Sequence, residues 1–245
     1  MSKFALDFIM NILVIFLIYI LPFFAYIYIL GYKEKKFKII SLKTIIVTIV
    51  YILIVIFSPS IISNIFPFII SIIIIINMKK EKIIDYEKFQ FNLRKVKFLN
   101  VLKYCVMTYL LSIVVSLIWN IILKFLGIEM KTQPVINILS GYSLLKFLIS
   151  VPSVVIFAPV LEEFIFRYII FEKILNKHIN VIVSAILTSL LFAGIHFSLS
   201  AFAILFSLSM INCYLIHKKG YWYSVGTHIF LNSISTIILL IGKIV

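Results

Sequence analysis

The chain has 245 residues, 63% of them hydrophobic and only 13% charged, with a formal net charge of +14 and a mean hydropathy of +1.19. A soluble domain of this size would lack the polar cover its surface needs, so composition excludes one. The positive charge does not indicate a nucleic-acid partner, because the lysines and arginines fall in loops between apolar runs and form no single patch.

Apolar runs occupy about 4–31, 40–57, 61–77, 98–127, 144–171, 179–199, 201–216 and 221–242. At roughly 20 residues per crossing, they predict an all-α, polytopic membrane bundle of about eight transmembrane helices. Backbone polar groups must be satisfied internally in lipid, which leaves helices or a closed barrel. The uninterrupted runs lack the alternation of a barrel. The first run has no small-residue cleavage site before Gly31 and reads as a retained span. The loops alternate in charge: "YKEKKFK" (32–38) is basic, "SPS" (58–60) neutral, and 79–97 strongly basic. The loop 128–142 carries only Glu129 and Lys131, whereas Lys173, Lys177 and "HKKG" (217–220) are basic again. Basic loops mark the cytoplasmic side, which gives eight helices with both termini outside in the plasma membrane. Residues 1–127 then form four N-terminal helices with basic cytoplasmic loops, and 143–242 a four-helix core, in one continuous membrane domain. The 79–97 loop, with Ile83, Ile84, Phe89, Phe91 and Leu93 among its charges, reads as a surface-lying helix.

Most polar residues fall at span ends, among them the acids Asp7, Glu34, Glu81, Asp85, Glu87, Glu129 and Glu172. Cys105 and Cys213 sit in apolar runs without metal-type spacing and read as inert packing residues. Only Glu162 and Glu163 remain well inside a span. Glu162 precedes Lys173 by eleven residues, about 16 Å at helical rise, which puts it near the bilayer midplane. A charge at that depth costs about 2.5–3.5 kcal/mol on insertion scales and marks a functional site by default. Glu163 and Arg167 are four apart and can pair on one face, whereas Glu162 points about 100° away. The pair is explained by helix packing alone; Glu162 is not. Pro159 removes a backbone donor and kinks or restarts the helix beside it. On other spans, "FAGIH" sets Phe192 and His196 four apart, with Gly194 permitting close approach of a neighbour. "HIFLN" does the same for His228 and Asn232. By residue counting, His196 lies nearer the outer end of its span than Glu162 does. His178 and His217 stand beside lysines and read as solvated, while Ser207, Ser209 and Asn212 read as interhelical hydrogen-bonders.

A carboxylate in an apolar pocket holds a proton more readily than in water, and so can serve as a general base near neutral pH. A histidine beside it can help orient and deprotonate a water, and a second histidine with an asparagine amide can donate to a developing oxyanion. That set suits attack of water on an amide without a covalent intermediate. The chain lacks the other intramembrane protease patterns: "SGYSLL" (140–145) departs from G-x-S-G, no H-E-x-x-H occurs, and Asp7 is the one candidate internal aspartate. One glutamate and two histidines would also be a legitimate zinc ligand set; the leading reading calls for no metal and no cofactor. A non-catalytic membrane-embedded immunity or binding protein is the alternative. A solute carrier is disfavoured by the absence of a repeat between the halves.

Glu162-Glu163-x-x-x-Arg167, Phe192-x-x-x-His196 and His228-x-x-x-Asn232, in that order on successive helices, resemble the three motifs of the CAAX protease and bacteriocin-processing (CPBP, or Abi) family. The resemblance covers about residues 145–240, with Tyr168 standing where many relatives have glycine. It implies a glutamate-dependent intramembrane endopeptidase in which Glu162 activates water with His196, and His228 and Asn232 form the oxyanion hole. Glu163, Arg167 and Phe192 would be supporting residues. The small size and isoleucine- and lysine-rich composition look bacterial. The implied substrate is therefore a membrane-associated peptide or protein, in peptide maturation, bacteriocin immunity or regulatory proteolysis.

Overall fold

The computed structural model describes residues 12–25, 49–51, 53 and 65–244. Most of the run expected at 40–57, the loops 32–38 and 58–60, and Asp7 lie outside the described residues. The described chain is helical: α1 Ile12–Ala25, then α2 Ile65–Lys80, the short α3 Ile84–Lys88, α4 Phe98–Phe125 and α5 Pro134–Ser140. There follow α6 Leu144–Leu175, α7 Val181–Gly194, α8 Leu199–Lys218 and α9 Tyr221–Ile244. Four of these, α4, α6, α8 and α9, are long and apolar enough to cross a membrane. The chain is therefore a multi-pass membrane protein.

Backbone chemistry sets where these helices begin and stop. Ser143, Asn180 and Ser198 each accept a backbone N–H with their side chains at the starts of α6, α7 and α8, satisfying donors that a helix start leaves unpaired. After α8 the chain turns at Gly220, whose φ of +113° disfavours any residue with a Cβ. A Cβ there would also meet Gln90 Cβ at 2.7 Å.

The run expected at 179–199 is divided. Helix α7 ends at Gly194, and 195–198 form a turn in which Phe197 takes φ +51°. Its 14 residues span about 21 Å, less than the roughly 30 Å hydrocarbon core. The turn at 195–198 hands over directly to α8, and His196 lines the same cavity as Glu162. Gly194 is not a close-approach site, since a Cβ there would meet nothing within 4 Å. The tight approach is at Gly226 of α9, where a Cβ would fall 2.5 Å from Val101 Cγ1 of α4.

Contacts gather at two ends of the bundle. At the basic end, Lys173 and Tyr168 both bind Asp85, and His217 Nδ1 meets Glu172 at 2.7 Å. There too the Tyr221 amide donates to the Phe89 carbonyl and Trp222 Nε1 to the Phe91 carbonyl at 2.8 Å. At the other end, Trp119 reaches the Leu199 carbonyl, and Lys243 binds the carbonyls of Ser140 and Tyr142.

Residues 79–97 do not form one surface helix. They make two short turns, Ile84–Lys88 and Leu93–Lys95. Phe89 and Phe91 are buried into the bundle while Ile84 and Leu93 stay exposed. Docking on Tyr168 and Tyr221, with Phe91 ring centroids 5.1 and 4.7 Å from theirs, competes with continuous helix and wins. Glu172 and Asp85, expected at solvated span ends, are instead buried. His217, expected to be solvated, is tied to Glu172.

Candidate active site

The site is built on α6, whose backbone changes pitch along its length. Ser153–Phe157 is wound in the wide i→i+5 pattern, Ala158–Glu162 returns to α, and Glu163–Leu175 widens again. The two adjacent carboxylates therefore stand on either side of a change in winding. Such wide turns are rare and gather at functional sites. Proline explains one irregularity. In the wide register the Ala158 amide bonds the Ser153 carbonyl, so the next carbonyl, Val154, would need a donor at 159. Pro159 has none. Asn232 Nδ2 on α9 supplies it, at 3.0 Å from the Val154 oxygen.

Glu163 faces inward and is fully buried. Its Oε1 accepts from Asn212 Nδ2 at 3.1 Å and faces His228 Nδ1 at 2.8 Å, while its Oε2 lies 3.1 Å from Arg167 Nε. That last contact is close but not aligned as a hydrogen bond. The Asn212 side-chain oxygen Oδ1 in turn accepts from Thr227 Oγ1 at 2.6 Å. The Arg167 guanidinium, also fully buried, lies over the Phe192 ring at 4.2 Å, a cation–π contact that gains from desolvation.

Glu162 faces the other way, with 20% of its side chain exposed. Its Oε2 is 3.7 Å from His228 Nε2, beyond a direct hydrogen bond. His228 thus bridges the two carboxylates, and its bond to Glu163 assigns the Nδ1 proton. His196 Nδ1 lies 2.7 Å from the Phe192 carbonyl. A carbonyl can only accept, so Nδ1 carries a proton and Nε2 of the neutral ring is left as an acceptor. Phe192 meets both imidazoles, at 4.7 Å from His196 and 5.9 Å from His228.

Glu162, His196, His228 and Asn232 all line one cavity of about 580 Å³. Glu163, Arg167 and Phe192 lie behind this wall. Sequence reading missed Thr227, next to His228 but without a motif of its own, and did not connect Asn212 to Glu163. Ser207 bonds the Ile204 carbonyl of its own helix and not a neighbour, and Ser209 Oγ has no partner among the described residues. Cys105 and Cys213 are free thiols in the core. Among the described residues no group of three or more His, Cys, Asp or Glu side chains is arranged to hold a metal ion.

Residues 144–234 match the family described as type II CAAX prenyl endopeptidase Rce1-like. No curated protein and no solved structure matches the chain. The matched segment contains all three polar motifs. Over that segment the chain is Rce1-like, similar to a family described as endopeptidases.

Proposed function

We propose that this domain is an intramembrane endopeptidase in which Glu162 activates water against a peptide carbonyl. The observation that carries the reading is the shared cavity wall of Glu162, His196, His228 and Asn232. Glu162 removes a proton from water while the free Nε2 of His196 accepts a hydrogen bond and fixes its position. Attack on the carbonyl carbon gives a tetrahedral oxyanion. His228 Nε2, when the ring carries both protons, and the Asn232 N–H not used on Val154 donate to it. Collapse breaks the C–N bond, and the proton held by Glu162 passes to the leaving amine. Glu163 and Arg167 position His228 and hold α6.

The whole chain is read as eight spans in the plasma membrane: four within 1–127, and the catalytic core within 143–242. The substrate is a membrane-associated peptide or protein, cleaved in bacterial peptide maturation, immunity or regulation.

The test is Glu162→Gln in cells, with new N-termini of membrane and secreted proteins mapped against wild type. Loss of a general base removes about 10²- to 10⁴-fold in rate, so wild-type cleavage products should vanish while the variant accumulates and unfolds like the parent. Identical cleavage profiles would end the catalytic reading and leave a non-catalytic immunity or binding protein.

A further inference from the structure

The cavity is not centred in the bundle. On α4 it takes Tyr109, Ser112 and Ser116, all beyond the first third of the helix from its basic end. On α8 its lining residues are Ile204, Leu205 and Leu208, in the half distant from Lys218, and on α9 they begin at His228 and run to Leu239. Gln133, Val135, Ile136 and Leu139 rim it from the connection that carries α5. No lining residue comes from 79–97, 172–180 or 217–224. Every contributing element points to one end.

The opposite end is closed beneath the carboxylates. Phe164 and Tyr221 have no accessible surface, Phe91 and Tyr168 almost none, and their rings pack on one another. Tyr221 Oη donates to the Val160 carbonyl at 2.6 Å, and the Asp85 and Glu172 clamps hold the layer down. This sealed end is the basic one. Residues 79–97 contain seven lysines and arginines, whereas 126–143 contain Lys131 alone. Basic loops stay cytoplasmic, so the rim lies on the far side of the membrane.

We propose that the active-site cavity opens to the extracytoplasmic face, and that its substrate is an extended polypeptide segment presented on that side. This rests on the proteolytic reading above. Helix α5 shapes the entrance: Leu139 is buried against the bundle while Val135 and Ile138 are exposed, as befits a short helix lying at the interface. An extended segment entering there brings unpaired amides and carbonyls, which lipid cannot satisfy. Gln133, Ser112, Ser116 and Ser235 on the cavity wall supply partners for them.

The test uses cysteine labelling of the full chain in which Cys105 and Cys213 are replaced by alanine. Gln133→Cys reports the rim, Ser112→Cys the cavity wall and Lys177→Cys the basic end, each probed in intact cells with a membrane-impermeant maleimide. Gln133→Cys should label without permeabilisation, at least tenfold faster than Lys177→Cys, and Ser112→Cys should label from the same side, more slowly than Gln133→Cys because it lies deeper in the cavity. Labelling of Gln133→Cys only after permeabilisation would overturn the inference. Repeating the set with Glu162→Gln separates the two proposals. External labelling with no Glu162-dependent cleavage would defeat the protease reading and the substrate with it, and leave the orientation of the cavity standing. Glu162-dependent cleavage with internal labelling would defeat the orientation alone.

Discussion

The two sides of α6 carry the same functional group and treat it in opposite ways. On the inner side Glu163 has its oxygens committed to Asn212, His228 and Arg167. On the outer side Glu162 meets a cavity and approaches His228 only to 3.7 Å. Consecutive residues on a helix differ by about 100° in direction, so a single step along the chain separates a carboxylate enclosed by partners from one that faces a cavity. A buried charge is tolerated when its partners saturate it. Glu162, with open space beside it, has no such enclosing set.

The comparison breaks most visibly at Glu163. Glu163→Gln leaves the Arg167 guanidinium charged and unpaired in the core, a defect that costs about 3–5 kcal/mol. The measurement is thermal unfolding in detergent, with Glu162→Gln expected within about 0.5 kcal/mol of wild type. Equal stability of the two variants would mean that the inner network contributes nothing. The next effect concerns the helix that delivers His228. Gly226→Ala drives a Cβ to 2.5 Å from Val101 Cγ1. Overpacking of this kind costs about 1–3 kcal/mol, and adding Val101→Ala should restore most of the loss. A smaller effect tests the second layer behind Glu163. Thr227→Val removes the hydroxyl that donates to Asn212 Oδ1 at 2.6 Å, for about 1 kcal/mol. It should lower cleavage more than it lowers stability, because Asn212 then turns freely against Glu163. Unchanged cleavage would show that Glu163 orients His228 without that support.

Much of this was legible in the sequence for simple reasons. Hydropathy locates α4, α6, α8 and α9 because lipid demands long apolar runs. Helical spacing pairs Glu163 with Arg167 and leaves Glu162 apart, because side-chain direction follows from residue number. What sequence could not show depends on contacts between distant segments. Asp85 and Glu172 read as loop acids until Tyr168, Lys173 and His217 are brought against them from other parts of the chain. The wide winding of α6 has no periodic signal. Its consequence, that Asn232 caps the carbonyl Pro159 leaves unpaired, needs α9 in place. Nor does hydropathy reveal that the apolar run 179–199 ends its helix at Gly194, since Ile195 and Phe197 carry the run on through the turn.

The buried ion pair has a counterpart in water. Lys95 Nζ lies 2.7 Å from Glu87 Oε2, closer than Arg167 is to Glu163, yet its partners' side chains are 58% and 63% exposed. If distance governed strength, the exposed pair would matter more. Solvent screening reverses the order, because water already satisfies both charges and ordering two mobile side chains costs entropy. Lys95→Ala should therefore shift stability by less than about 1 kcal/mol, a change that disappears in high salt. Unfolding curves for Lys95→Ala and Glu163→Gln in one detergent decide the matter. A Lys95→Ala loss as large as that of Glu163→Gln would show that burial is not what divides the two sides of α6 from the surface.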